Sequence, residues 1–345
     1  MSENIRLTQF SPGAGCGCKI APKDLEEILK SSRSGKVFEN LLVGNDSKDD
    51  AAVYDIGGGR AIVSTTDFFT PIVDDPFNFG RISATNAISD IYAMGGEPLM
   101  AIAILGWPLD KLPAEIAGEV ISGARSVCDL ANIPLAGGHS INSTDPIFGL
   151  AVTGIAESEN IKKNNTATEG CILFLTKPIG IGLVSTAEKF GIVKDSDKAV
   201  ALELMTTLNK AGIELAKIDG VKALTDVTGF GLLGHALEMA EGSGFKVVIE
   251  FDKVPRIKGV DFYIEKGCIP GGTHRNFASY GAKISPLSEK QKALLCDPQT
   301  SGGLLIAVMP DSISQLKEFA VKDGFPLYRL GYLEKKNGGF WVEIK

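Results

Sequence analysis

Two cysteines and a lysine stand close together near the start of the chain, in the stretch GAGCGCK at residues 13–19. A zinc site would need two further ligands at matching spacing, and the sequence has no second C-x-C, C-x-x-C or H-x₃-H pair. A disulfide between Cys16 and Cys18 would be short and strained, so it suits only a redox device. A nucleophile or chalcogen carrier is the third option, because Lys19 would lower the pKa of a nearby thiol or bind phosphate oxygens. The residues alone leave these three roles open and favour the nucleophile.

Four aspartates are placed at or near the ends of apolar segments, and they are the next candidates for chemistry. Asp50 begins a strand in SKDDAAVY, and Asp67 and Asp226 end strands in VSTTDFF and ALTDVTGFG. Asp90 lies inside a helical pattern with Asn86 on the same face, where an unpaired buried carboxylate would be costly. Taken singly, each aspartate is more simply a cap of a helix or turn. A convergent set would need cations, and carboxylate oxygens suit Mg²⁺, which commonly couples carboxylates to phosphates.

Glycine-rich segments supply candidate phosphate loops. GFGLLG at 229–234 matches G-x-G-x-x-G and has Glu250 about 20 residues further on, as in dinucleotide-binding proteins. Three residues separate its first glycine from the strand, and Asp226 would repel a pyrophosphate, so we interpret these glycines as sites of close helix packing. LAGGHSIN at 135–142 is the better candidate for a phosphate or ribose loop, with a plain turn as the alternative. For CDPQTSGG at 296–303 we expect only close packing or a nearby ligand.

Composition narrows the class of protein. The 345 residues are 44% hydrophobic and 22% charged, with a net charge of −7. This length predicts two domains, and the acidic balance without a Lys/Arg run predicts no nucleic-acid partner. No apolar run is long enough for a bilayer span, and the first residues do not resemble a signal peptide. Six scattered cysteines do not form a disulfide framework, so we expect a cytoplasmic location and buried thiols at Cys128, Cys171, Cys268 and Cys296.

Periodicity predicts mixed helices and strands in both halves, an α+β fold. We expect a short helix at 22–32, a hairpin around GGG at 57–59, helices at 77–94 and 114–131, and strands at 99–107, 133–138 and 147–156. The polar segment 157–170 marks the domain boundary. After it come strands in CILFLTK, VKALTD, KVVIEF and GGLLIAVM, helices near 183–190, 197–217, 230–244, 257–267 and 312–323, and a closing hairpin around KKNGG. The predicted domains are a glycine-rich mobile arm with a short helix at 1–45, an ATP/Mg-binding domain at 46–157 and a second domain at 168–345.

Eight motifs together resemble the selenophosphate synthetase (selenide, water dikinase) family, and the resemblance covers essentially the whole chain. They are GAGCGCK, DDAAVY, STTDFF, ATNAISDIYAMGG, GGHSI, TDVTGFGLLGH, GGTHRNFASYG and DPQTSGGLL. The resemblance implies two domains of the aminoimidazole ribonucleotide synthetase-like type and a homodimer whose N-domain strands pair into a barrel-like sheet. It implies the reaction of ATP, selenide and water to selenophosphate, AMP and phosphate, which supplies selenium for selenocysteine and selenouridine-tRNA synthesis. Mg²⁺ is the implied cofactor, several ions per site, with K⁺ as activator. A selenium-delivery protein is a further expected partner.

The resemblance also assigns roles to particular residues. Cys16 matches an active-site position occupied by cysteine or selenocysteine, and Cys18 a less clearly required companion. Lys19 matches a lysine that contacts ATP phosphates. The remaining matches are Mg²⁺ ligands at Asp50, Asp90 and Asp226, and nucleotide contacts at Asp67, Asp90, Ser47, Lys48, Asp49, Gly138, His139 and Ser140, the last three reaching a partner's site.

Three alternatives remain at this point. Another enzyme of the same superfamily, such as a thiamine-phosphate kinase or a purine-pathway synthetase, would not need the thiols of GCGCK. A thiol-based metal- or redox-binding protein would use Cys16 and Cys18 without turnover. A dinucleotide enzyme would use GFGLLG.

Overall fold

The chain forms two mixed α/β domains, each built on an open six-stranded sheet. The computed structural model describes residues 6–10, 15–20, 22–30, 36–45 and 48–345, and of Cys16 it describes the backbone alone. Among these residues, no helix is both long and apolar enough to cross a bilayer.

The first domain places two long helices on one face of its sheet. The strand order is β1-β2-β3-β6-β4-β5, antiparallel except for the parallel pair of β4 and β5. The elements are α1 (Pro22–Lys30), β1 (Leu41–Val43), β2 (Ala52–Gly57), β3 (Arg60–Phe69), α2 (Pro76–Ala93), β4 (Glu97–Trp107), α3 (Ala114–Leu130), β5 (Leu135–Asn142) and β6 (Ile147–Glu157).

The second domain has the strand order β12-β9-β11-β7-β10-β8. Its elements are β7 (Ile172–Leu175), α4 (Ile181–Lys189), α5 (Asp195–Thr206), α6 (Ala211–Leu215), β8 (Val221–Asp226), α7 (Gly231–Ser243), β9 (Phe245–Ile249), α8 (Val260–Glu265), α9 (Gly271–Tyr280), α10 (Glu289–Leu295), β10 (Leu304–Val308), α11 (Ile313–Asp323), β11 (Tyr328–Lys335) and β12 (Val342–Ile344).

Helix α2 is the element that joins the two domains. Pro76 fits its first turn, and the Asp75 carboxylate accepts a hydrogen bond from the backbone N–H of Asn78, so the helix begins with a proline and a side-chain cap. From Phe79 to Ala93 nearly every residue is buried, because α2 contacts β3 and β6 on one side and α5, α6 and β8 on the other. A helix that is apolar on most of its surface suits such a central place, and it carries its few polar groups into the space between the domains.

Most predicted elements are present, but the predictions for the segments KKNGG and 197–217 are wrong. KKNGG does not close a hairpin, because β12 pairs in parallel with β9 instead of folding back onto β11. The single helix expected at 197–217 is two helices, α5 and α6. The helix α9, which contains His274, and the helix α10 have no counterpart among the predicted elements.

Candidate active site

Four aspartates predicted as site residues are gathered where α2 meets strands of both domains. Asp67 lies near the end of β3, Asp90 in the last turns of α2, and Asp226 at the end of β8. Asp50 precedes β2 and is bonded across the domains, because the hydroxyl of Thr225 donates to its Oδ1 over 2.8 Å. The structure therefore brings Asp50, Asp67, Asp90 and Asp226 into one interdomain cluster, which we call the carboxylate cluster.

Each carboxylate of this cluster receives a hydrogen bond from a neutral donor on one of its oxygens. The donors are Thr225 to Asp50, Asn86 to Asp67, Thr65 to Asp90 and Ser89 to Asp226. A neutral donor to the ionised form favours the charged state, which offsets part of the cost of burying it. In Asp50 the second oxygen, Oδ2, is buried with no hydrogen-bond partner among the described residues.

Burial and mutual repulsion dominate the electrostatics of the cluster. Burial, together with the nearby charges of Asp226 and its neighbours, raises the pKa of Asp50 and of Asp90 well above the ordinary range. Burial raises the pKa of Asp226 to about 6, although the Ser89 hydroxyl opposes the shift. Like charges at close range disfavour each other's ionisation. A bound cation would reduce this repulsion and favour the ionised carboxylates.

Lys19 supplies a positive charge to this cluster. Its Nζ donates to Asp67 Oδ2 over 3.1 Å, and its side chain is about one-third exposed, whereas Asp67 is buried. The lysine charge also lowers the pKa of Asp90 and of Asp226 against the larger effect of burial. The residue that directly follows the cysteine pair therefore contacts Asp67, a predicted nucleotide contact, and its charge acts on the predicted metal ligands Asp90 and Asp226.

The chemistry of the donor set fits a hard divalent cation. Carboxylate oxygens are the ligands that Mg²⁺ prefers, and an orphaned buried oxygen such as Asp50 Oδ2 is an acceptor that a cation would satisfy. Within the described part of the chain, no three His, Cys, Asp or Glu side chains are already grouped around a single ion position. The assignment of Asp50, Asp90 and Asp226 as metal ligands stays a prediction.

Both domains hold the turn that carries the cysteines. Gly15–Cys18 forms a 3₁₀ turn, in which the backbone N–H of Gly15 donates to the carbonyl of Thr70 and Arg275 Nη2 donates to the carbonyl of Gly17 over 2.8 Å. A Cβ at Gly15, whose φ is +50°, would lie 2.5 Å from Thr300 Oγ1, so glycine is required for this close approach. The Cys18 side chain is exposed, and the predicted role of the Cys16 thiol falls outside the described atoms.

The loop before β2 is held by hydrogen bonds from the segment between the domains. Ser47 lies outside the described residues, but Asp49 accepts a hydrogen bond from the backbone N–H of Asn164, and the Asn164 amide donates to the carbonyl of Lys48. Lys48 adopts a left-handed φ of +55°. Lys48 and Asp49, the predicted nucleotide contacts, thus directly precede Asp50. Their loop is held by two hydrogen bonds from Asn164.

The segment expected as a phosphate loop at 135–142 is the edge strand β5, so the strand predicted at 133–138 is confirmed in part and the loop is wrong. Gly138 pairs with Ala103, which pairs with Leu150, which pairs with Asp67, so three strand spacings, about 14 Å, separate Gly138 from Asp67. His139 also stands in the same row as Phe68, on the sheet face opposite to Asp67. Within one chain, Gly138, His139 and Ser140 therefore do not join the carboxylate cluster.

The glycines of GFGLLG serve packing, as we predicted. A Cβ at Gly231 would lie 2.8 Å from the backbone of Cys296, and one at Gly234 would lie 2.5 Å from Phe230. His235 is buried, and its Nε2 accepts a hydrogen bond from the backbone N–H of Thr228, so it braces the loop that follows Asp226. Burial lowers the pKa of His235 to about 3, which keeps it neutral. The four thiols expected to be buried, Cys128, Cys171, Cys268 and Cys296, are buried and free.

Sequence reasoning missed the polar residues that hold the site residues in place. Asn209 and Asn164 are buried and bond to groups that lie far away in the sequence. Thr65 and Ser89 each donate to a cluster carboxylate. Ser89 directly precedes the candidate Asp90, and Thr65 lies two residues before the candidate Asp67. This proximity in sequence was the only signal available.

Comparisons with known proteins identify the family of the chain. The family models for AIR synthase related protein match residues 48–156 with the N-terminal domain and 168–342 with the C-terminal domain. A selenide, water dikinase from Photobacterium profundum is 59% identical over 344 residues, which covers 99% of each chain. The chain belongs to the selenide, water dikinase family. Another member, from Pasteurella multocida, is 60% identical over 336 residues, covering 97% of this chain and 96% of the relative.

Solved structures extend the likeness of fold beyond this selenide, water dikinase family. The thiamine-monophosphate kinase from Stenotrophomonas maltophilia matches with a TM-score of 0.66 at 18% identity, covering 95% of this chain and 96% of that one. At this identity the match concerns the fold alone.

Proposed function

We propose that this chain is a selenide, water dikinase that converts ATP, selenide and water into selenophosphate, AMP and phosphate. The observation that carries the proposal is the contact of Lys19 with Asp67, because it sets the cysteine-bearing turn against a cluster of buried carboxylates. A thiol next to a phosphate site is suited to guiding selenium to phosphorus, and the full-length relatives bear the name of that activity. The product would supply selenium for selenocysteine and selenouridine-tRNA synthesis.

The carboxylate cluster suits the phosphate end of ATP. Asp50, Asp90 and Asp226 would hold Mg²⁺, which supplies the charge neutralisation that phosphoryl transfer needs. Lys19 adds a mobile cationic donor for phosphate oxygens, and Asp67 orients the lysine ammonium. Lys48 and Asp49, with Ser47 next to them in sequence, are proposed nucleotide contacts, because the braced loop joins directly to Asp50.

The two steps of the reaction place different requirements on the protein. Hydroselenide attacks the γ-phosphorus of ATP first, and we assign Cys16 to holding or guiding the selenium. ADP is then hydrolysed to AMP and phosphate, so water must be kept from the phosphates until the first half is complete. The bonds from the Gly15–Cys18 turn to Thr70 and Arg275 keep that turn beside the site.

The proposal includes a homodimer whose N-domain sheets pair into a barrel-like sheet. The sheet face opposite α2 and α3 is exposed and largely apolar, with Tyr54 and Phe68 each 47% exposed and Ile102 46% exposed. A contiguous apolar face of this kind indicates a protein interface. Pairing would also bring Gly138, His139 and Ser140 of one chain toward a partner's site. Activation by K⁺, a selenium-delivery protein, a cytoplasmic location and the domain limits 1–45, 46–157 and 168–345 complete the proposal and come from the sequence.

The test is selenide-dependent turnover of ATP, followed by ³¹P NMR under anaerobic conditions with Mg²⁺. We expect signals of selenophosphate, AMP and phosphate in equal amounts, and none of them without selenide. Formation of ADP as the final product would contradict the dikinase assignment. Stoichiometric zinc on Cys16 and Cys18 without turnover would favour a thiol-based binding protein instead.

A further inference from the structure

The loop at residues 300–303, part of the CDPQTSGG segment, is held in a fixed shape between the domains. Ser301 adopts a left-handed φ of +51°, which is strained for a residue with a side chain. The buried ammonium of Lys177 donates to the carbonyl of Ser301 over 2.9 Å and to those of Leu204 and Thr207. A buried cation that donates to three carbonyls fixes the direction of the peptide linking Ser301 and Gly302.

One carbonyl of this loop sets the orientation of Asn209. The Nδ2 of Asn209 donates to the carbonyl of Gly302 over 2.9 Å and to Ser89 Oγ over 2.8 Å. A carbonyl only accepts, so the nitrogen of the amide must face it. Ser89 Oγ, which receives a hydrogen bond from Asn209, then directs its own proton to Asp226 Oδ2, 2.5 Å away.

One backbone N–H of the same loop orients a second amide. Ser301 N donates to Asn86 Oδ1 over 2.7 Å, and an N–H only donates, so the oxygen of Asn86 faces the loop. The nitrogen of Asn86 consequently faces Asp67 and donates to its Oδ2. Neighbouring backbone groups therefore direct one donor to Asp67 and another to Asp226.

We propose that Asn209 is a positioning residue for Asp226, acting through the Ser89 hydroxyl, and that the backbone of Ser301 and Gly302 is the template that orients both amides. All residues of this hydrogen-bonded series are buried, so water does not compete for their hydrogen bonds. With Oδ2 of Asp226 engaged by Ser89, the carboxylate is kept in one orientation toward a divalent cation. The cation itself rests on the proposed function.

Binding of Mn²⁺ tests the proposal without turnover. Free Mn²⁺ is measured by EPR with a non-hydrolysable ATP analogue present, for wild type, Asn209→Ala, Asn209→Asp and Ser89→Ala. Loss of a partner that orients a metal ligand typically weakens affinity by about 10–100-fold, and we expect a weakening in this range for each variant. Asn209→Asp keeps the shape of the side chain, so it serves the comparison if Asn209→Ala does not fold.

Thr176→Val is the matched control. The hydroxyl of Thr176 accepts a buried hydrogen bond from Leu304 N, next to the same loop, but reaches no cluster carboxylate. We expect this variant to lower the melting temperature and to leave Mn²⁺ affinity unchanged. If the Asn209 variants behave in the same way, Asn209 has a structural role only and the proposal is overturned.

A double-mutant cycle tests whether Asn209 acts through Ser89. The variant Asn209→Ala/Ser89→Ala should bind Mn²⁺ no more weakly than Ser89→Ala alone, because the second change has nothing left to orient. Additive losses would overturn the proposal. If wild type forms selenophosphate and Asp226→Asn binds Mn²⁺ as tightly as wild type does, this inference fails while the proposed function stands. Absence of selenide-dependent AMP would instead refute the function.

Discussion

At the scale of the residue, the unusual feature is a set of acidic side chains buried together. Asp50, Asp90 and Asp226 all have raised pKa values, since burial and mutual repulsion outweigh the hydroxyl donors. Such groups are costly for folding and commonly mark functional sites. This cost is offset by the positive charge of Lys19, by hydrogen bonds from neutral side chains and by the proposed cation.

Lys19→Met removes the ammonium that contacts Asp67 and keeps most of the side-chain volume. We expect kcat to fall by roughly 10²–10³-fold, as for loss of one charged donor at a phosphoryl-transfer site. Lys19→Arg, which keeps the charge but changes the donor geometry, should retain more activity. Selenide-dependent AMP formation measures both variants. Equal kcat for Lys19→Met and wild type would show that this lysine does not act on the phosphates.

Cys16→Ser tests the thiol directly, with Cys18→Ser as the matched control two residues away. A serine hydroxyl is a far weaker nucleophile and selenium ligand than a thiolate, so we expect Cys16→Ser to lose selenophosphate formation while Cys18→Ser retains most of it. ³¹P NMR with free selenide gives the readout. A normal rate for Cys16→Ser would limit this cysteine to delivery of selenium.

At the scale of the element, the CDPQTSGG segment caps a helix from more than a hundred residues away. Asp297 accepts from the backbone N–H of Gly182, and Gln299 accepts from those of Gly180 and Ile181, at the start of α4. These bonds satisfy backbone groups that have no partner inside the helix. The same segment therefore shapes the loop at 300–303 and anchors α4.

Burial raises the pKa of Asp297 from 3.8 to about 8, and this gives a pH dependence of stability. The folded state binds the proton more tightly than the unfolded state, so the contribution of Asp297 is fully present below about pH 4 and is lost as the pH rises through 8. The melting temperature of Asp297→Asn relative to wild type should therefore rise from about pH 5 to about pH 9. A relative melting temperature that stays constant over this pH range would contradict the raised pKa of Asp297.

Glycines allow α2 and α3 to pack closely against each other. A Cβ at Gly123 would lie 1.9 Å from the carbonyl oxygen of Phe77, whereas one at Gly118, on the same helix, would meet nothing within 4 Å. Gly123→Ala should destabilise the protein by about 1–3 kcal/mol through overpacking. Gly118→Ala should stabilise it by about 0.5–1 kcal/mol through helix propensity. Urea unfolding of both variants measures the difference, and equal effects would contradict the close approach.

The sequence predicted most elements because their patterns are local. The helix α2 and the hairpin of β2 and β3 follow from apolar periodicity and from glycines at the turn. The pairing of β12 with β9 and the continuation of β5 to Asn142 depend on partners far away in the sequence, so local patterns predicted a closing hairpin and a loop after a shorter strand. Likewise, Asp50, Asp67 and Asp226 were found from their positions at strand ends and Asp90 from its place inside an apolar helix. Asn209 acts through contacts that only the folded chain creates.

At the scale of the whole molecule, the exposed apolar sheet face and the location of His139 support the same proposal. His139 shares a row of the sheet with the exposed Phe68, and Asp67 faces the other way toward α2. If His139 contributes to catalysis, it therefore does so in the site of a second chain. A homodimer with the same face on both chains would contain two sites, each completed by its partner.

Mixed dimers test this arrangement. Lys19→Met disables the site of its own chain, and His139→Ala would disable the site of its partner, so each variant alone is expected to be inactive. In a mixed dimer, one site combines both changes and the other has neither, so random mixing should restore about one quarter of wild-type activity. Sedimentation of the refolded mixture checks that dimers have formed. If His139 acts within its own chain, mixing restores nothing; if it has no role in catalysis, His139→Ala alone stays active.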